Sequence, residues 1–81
     1  MILIKPITTE KAIRNMELEN RISFIVDRRA TKDQIKREIE QSFNVKTEKI
    51  NTLVKNNEKT ASIKLKKEFK ASDIGAKLGM I

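Results

Sequence analysis

The sequence predicts an α+β domain: a small α/β sandwich in which a mostly antiparallel sheet of three to four strands carries helices packed on it. Three observations point there. The apolar period switches along the chain between about 2 and about 3.6 residues. Two strand-like runs, Lys46 to Lys55 and Ala61 to Lys67, flank Asn56-Asn57-Glu58-Lys59, a turn-forming stretch that makes them an antiparallel hairpin. The run Arg21 to Asp27 carries Ile22, Phe24 and Val26 on one face and Ile25 on the other, so both faces of the sheet are at least partly covered. With 81 residues the chain makes one domain, residues 1–81, in a small mixed sheet.

The elements follow in order. Ile2-Leu3-Ile4 is a short apolar run stopped by Pro6, which suits an edge strand because proline cannot donate to a ladder. A plain extended arm is the alternative reading of this run. Thr8 or Thr9 caps a helix, and Glu10 in its first turn suits the helix dipole. Ala12, Ile13 and Met16 give that helix one apolar face, and Glu19-Asn20 ends it. After the Arg21–Asp27 strand comes the clearest helix. Thr31 and Gln34 have capping-box spacing, and Ile35, Ile39 and Phe43 recur at i, i+4 and i+8. Asn44 closes it in a left-handed conformation. The hairpin follows, with Ala61, Ile63 and Leu65 inward and Ser62, Lys64 and Lys66 outward. Ser72 is then expected to cap a short helix carrying Ile74 and Leu78, with Gly79 at its stop.

Composition narrows the chemistry. There is no cysteine and no histidine, which removes disulfides, thiolate metal sites, the usual general base and the commonest metal ligand. No cofactor is expected. No apolar run is long enough to span a bilayer, and Met1-Ile2-Leu3-Ile4-Lys5 lacks a basic region of signal-peptide type. Cytoplasmic residence without membrane insertion is the expectation. The paired acids Glu17/Glu19 and Glu38/Glu40 are two apart and diverge on a helix, so neither makes an acid/base dyad. Asp33, Glu38 and Glu40 are expected to solvate an exposed helix side. No nucleophile elbow, phosphate loop or dinucleotide fingerprint occurs, so no catalytic role and no small-molecule substrate are expected.

The net charge is +7 and the isoelectric point about 9.9, with the cations dispersed along the chain. That distribution favours a polyanion partner, and nucleic acid over membrane, because no segment combines an aromatic or leucine-rich face with a lysine-rich one. Only Phe24, Phe43 and Phe69 could stack on bases, and all three fall where core packing is expected. Folded RNA read through phosphates and 2′-hydroxyls is therefore the fitting ligand. The candidate contacts are Lys5 and Lys11 flanking Pro6, Thr31, Lys32 and Lys36 at the start of the main helix, Lys55 and Lys59 around the hairpin turn, and Lys64 and Lys66 on a strand. Arg28-Arg29 lead into that helix.

Four motifs carry a family resemblance. Lys5-Pro6-Ile7-Thr8-Thr9-Glu10-Lys11-Ala12 matches K-P-x-x-[ST]-E-K-A. Ala30-Thr31-Lys32-Asp33-Gln34-Ile35-Lys36 matches A-[TN]-K-x-x-I-K. Val45 through Asn51-Thr52 matches V-x-x-V-N-T, with Ile50 at the apolar position. Phe69-Lys70-Ala71-Ser72-Asp73-Ile74 through Leu78-Gly79-Met80-Ile81 is similar to the ending of short archaeal members. The chain thus resembles the large-subunit ribosomal protein twenty-three family over essentially its whole length.

That resemblance implies a four-stranded, largely antiparallel sheet and binding to large-subunit rRNA at the rim of the polypeptide exit tunnel, with Asn51 among the contacts. It implies ribosomal protein twenty-nine as a neighbour. It also implies a docking platform for the signal recognition particle or other exit-site factors, with Glu10 at the position that holds a chaperone in bacterial relatives. Glu10 also suits a plain helix-dipole role. The chain departs from the bacterial pattern in its short turn and in Lys59-Thr60-Ala61-Ser62-Ile63, where relatives often read K-K-A-Y-V. Two other readings suit the composition: a free-standing basic protein that compacts DNA or RNA, and a protein-interaction adaptor whose charge is incidental.

Overall fold

The computed structural model describes residues 2–79. Met1, and the Met80-Ile81 end of the fourth motif, lie outside the described residues. The elements are β1 (Leu3–Pro6), α1 (Glu10–Leu18), β2 (Arg21–Val26), α2 (Lys32–Phe43), β3 (Thr47–Lys55), β4 (Glu58–Leu65) and α3 (Ala71–Lys77). This is the expected order, and the architecture is α+β.

The four strands stand in the order β1-β2-β4-β3. Every pairing is antiparallel, so the sheet is not mixed. The hairpin explains this. β3 runs in the same direction as β2, but β4 folds back between them and pairs with both. The run before Pro6 is a true strand at the sheet edge, and the amide of Ile7 continues its ladder by donating to the Ser23 carbonyl at 2.9 Å.

Alternation along β2 and β4 buries one face. Ile22, Phe24 and Val26 join Ala61, Ile63 and Leu65, each at most 2% exposed. All three helices feed this one core: Met16 from α1, Ile35 and Ile39 from α2, and Ala71 and Ile74 from α3. The Phe24 and Phe43 rings lie 6.3 Å apart, and Phe69 packs against the same cluster. The aromatics thus serve the core, as their positions predict. Leu78 does not. It sits just past α3 and is exposed, so the expected Ile74/Leu78 pair is half formed.

Asparagine takes the left-handed positions between elements. Asn20, Asn44, Asn56 and Asn57 all have φ between 52° and 63°. Asn44 caps α2 as expected. Asn56 and Asn57 alone form the hairpin turn, so β4 begins at Glu58 rather than at Ala61. Thr9, not Thr8, caps α1, its hydroxyl accepting from the Ala12 amide at 3.2 Å.

Two expectations fail because the chain meets itself at a distance. Ser72 does not cap α3, which starts at Ala71 with no cap bond from its own N-cap side chain. The cap comes from Asn20 instead: its Oδ1 accepts from the Ala71 amide at 2.7 Å, and its Nδ2 donates to the Phe69 carbonyl at 2.8 Å. Glu40 does not solvate α2. Its Oε2 accepts from both the backbone amide of Thr47 at 3.0 Å and the Thr47 hydroxyl at 3.3 Å, at a residue only 6% exposed.

Candidate nucleic-acid interface

The strand register, together with the period-two alternation, defines the second face of the sheet. Position by position it carries Lys5 from β1, Arg21, Ser23 and Ile25 from β2, Lys49, Asn51 and Leu53 from β3, and Thr60, Ser62 and Lys64 from β4. These residues are half-buried or exposed, in contrast to the closed face opposite. They fall into rows that run across the strands. Lys49 pairs with Lys64, which pairs with Arg21. Next, Asn51 pairs with Ser62, which pairs with Ser23. Then Leu53 pairs with Thr60, Thr60 with Ile25, and Ile25 with Lys5.

The cations of the first row have little competition. Among the described residues the one ion pair is Arg21 with Glu19, 3.6 Å apart, and Glu19 precedes the strand. Arg21 also donates to the Ser62 hydroxyl at 3.4 Å, which ties the first row to the second. None of the three rows holds an acid. The sheet's own acids are Glu48, beside Lys49 at the irregular start of β3, and Glu58 at the turn, paired across the strands with Lys55. The start of α1 borders this face. A shallow groove there is lined by Ile7, Thr9, Lys11, Asn15, Ser23 and Ser62, among others.

The predicted contact residues therefore divide. Lys5, Asn51 and Lys64 share the outer face, and Lys11 stands at its rim. Glu10 is exposed in the first turn of α1. Thr31, Lys32, Lys36, Lys55 and Lys59 belong to the other region, where the hairpin end of the sheet meets the start of α2. Lys59 holds that junction together, donating its ammonium to the Ala30 carbonyl. Arg28 likewise donates to the Asn57 side chain at 3.2 Å. Lys66 lies beyond β4 at the opposite end, its amide bonded to the Lys46 carbonyl.

The start of α2 is already satisfied. Thr31 accepts from the Gln34 amide at 3.2 Å, and Gln34 Oε1 accepts from the Thr31 amide at 2.9 Å. Asp33 adds a carboxylate to the same turn. That turn presents Lys32 and Lys36 as exposed charges, while the Thr31 hydroxyl is committed to its cap. Arg21, Lys49, Ser23 and Ser62 were not among the sequence candidates. Alternation put Ser62 outward, but only the cross-strand register brings these four side by side.

The arrangement suits phosphates and sugar hydroxyls, with no exposed ring for base stacking among the described residues. A protein of Picrophilus torridus described as large ribosomal subunit protein uL23 is 46% identical over 78 residues, covering 96% of this chain and 95% of that relative. The family model of ribosomal protein L23 matches residues 1–74, from β1 into α3. The family model covers most of the chain and the relative nearly all of it, and the chain belongs to the ribosomal protein L23 family.

Proposed function

We propose that this protein is a structural constituent of the large ribosomal subunit, in the cytoplasm, that binds large-subunit rRNA near the polypeptide exit tunnel. The observation that carries the reading is the family match over residues 1–74 in a chain of net charge +7. The family is one of ribosomal structural proteins, not enzymes. Charge supplies the physical basis: lysines and arginines neutralise phosphates and release counterions, so affinity comes without base stacking. Ribosomal protein twenty-nine is the proposed protein neighbour. The signal recognition particle or another exit-site factor is the proposed visitor, with exposed Glu10 in α1 as its contact.

Co-sedimentation tests the main reading. Tagged protein should travel with large subunits and resist moderate salt. Release into the free pool with equal binding to any duplex would mark a general nucleic-acid binder instead. A protein partner that survives nuclease treatment would mark an adaptor. Glu10→Ala tests docking. Ribosomes carrying it should assemble normally and bind an exit-site factor more weakly than wild type. Equal affinity for every factor tried would leave Glu10 as a helix-dipole residue worth about 0.3 to 1 kcal/mol.

A further inference from the structure

Resting on the rRNA-binding reading, we propose that the outer face of the sheet is a ribose-reading site. The Lys49–Lys64–Arg21 row takes phosphates, and the adjoining Asn51–Ser62–Ser23 row takes 2′-hydroxyls, so this face distinguishes RNA from DNA.

Geometry supports the division of labour. Adjacent strands lie about 4.8 Å apart, and each row spans three of them, so a row is about 10 Å long. Successive rows are two residues apart along a strand, about 6.8 Å. A cationic row and a hydroxyl/amide row thus run side by side within the reach of one sugar-phosphate segment. The groups also match chemically. A 2′-hydroxyl both donates and accepts, and so do Ser23, Ser62 and Asn51. A phosphate only accepts, and Lys49, Lys64 and Arg21 only donate.

Two further observations mark the second row as a site rather than incidental polar surface. The groove at the start of α1 includes Ser23 and Ser62 and sets Lys11 and Asn15 beside them, so the row ends against the first turns of that helix. On its other long side lies the Leu53–Thr60–Ile25 row, in which Thr60 adds a further hydroxyl and Leu53 is 64% exposed. Arg21 bridges the two rows by donating to the Ser62 hydroxyl at 3.4 Å. Strand positions hold these side chains more rigidly than a loop would, as a site that measures one hydroxyl requires.

The test uses the full chain, transcribed large-subunit rRNA, and a matched pair of RNA and DNA hairpins of one sequence. Lys49→Ala with Lys64→Ala should weaken rRNA binding and lower the slope of log affinity against log salt by about 0.7 to 0.9 for each lysine removed. Asn51→Ala with Ser62→Ala should weaken rRNA binding about tenfold while leaving that slope unchanged. It should also shrink the preference for the RNA hairpin over the DNA hairpin. Neither pair touches the core cluster, and thermal melts confirm folding. Wild type supplies a measurement free of any variant: equal affinity for the two hairpins overturns the proposal. So does wild-type rRNA binding by both double variants, which leaves the rRNA-binding reading intact. Failure of wild type to bind rRNA at all overturns that broader reading and this one with it.

Discussion

Replacing Asn20 by alanine should cost far more than a substitution at a half-buried turn position ordinarily does. Asn20 is only half-buried, yet it joins three parts of the chain. It turns α1 into β2 with φ 57°, caps α3 through the Ala71 amide at 2.7 Å, and holds the Phe69 carbonyl at 2.8 Å. Two longer contacts reach the carbonyls of Leu65 and Lys66, at 3.3 and 3.4 Å. Alanine removes both short bonds, each worth about 1 kcal/mol net. The first of these bonds satisfies the amide of Ala71, a residue that is 0% exposed, and about 1 kcal/mol is the low end of what stranding such a donor costs. Left-handed backbone costs alanine about 1 kcal/mol more.

The sum is about 3 kcal/mol. A domain of 81 residues has about 4 to 12 kcal/mol in all, so this is a large share. The melting midpoint should fall by about 12 to 24 °C. Asn20→Gly separates the contributions. Glycine tolerates the positive φ but makes no side-chain bond, so it should lose about 2 kcal/mol. Chemical denaturation followed by far-UV circular dichroism gives the free energies. Hydrogen exchange at the amides of α3 tells whether the loss is local. A loss under about 1 kcal/mol for Asn20→Ala refutes the cross-chain cap as a source of stability. Equal losses for alanine and glycine refute the backbone contribution.

Three other outcomes follow from the same contacts. Glu40→Ala should destabilise by about 1 to 3 kcal/mol, because it leaves the buried Thr47 amide and hydroxyl without their acceptor. Glu40→Gln keeps an acceptor oxygen and should cost clearly less in the same denaturation series. Asn57→Gly should stabilise by a few tenths to about 1 kcal/mol, since Asn-Gly suits a turn with positive φ at both positions. The exposed Arg28 contact to Asn57 is lost in exchange, and a net loss in the melt would show that this contact outweighs the turn. Saturating rRNA should raise the melting midpoint, because a polyanion bound only to the folded chain relieves the repulsion of its +7 charge. An unchanged midpoint would contradict specific binding.

Local chemistry made much of this protein legible from its sequence. The Thr31/Gln34 box, the Ile35-Ile39-Phe43 stripe, the Asn44 stop and the alternation of β2 and β4 are all set by neighbours within a few residues. So was the use of the three phenylalanines in the core rather than on nucleic acid. The family motifs are equally local, and the resemblance they carry agrees with the family match.

Beyond the hairpin, sequence could not supply the contacts that join separate elements. Ser72 looked like the cap of α3 because it precedes an apolar pair, but Asn20 reaches across to do it. Glu40 looked like a solvated acid because nothing near it in sequence claims it, whereas Thr47 returns to it after the turn at Asn44. The candidate site shows the same limit. Alternation put Ser62 and Lys64 on an outward face, but it could not say which residues stood next to them. Inserting β4 between β2 and β3 decided that Lys49, Lys64 and Arg21 form a row, and Asn51, Ser62 and Ser23 the next. A strand's own periodicity fixes only which side a residue faces, while its neighbours across the sheet depend on strand order and register, which long-range packing alone selects.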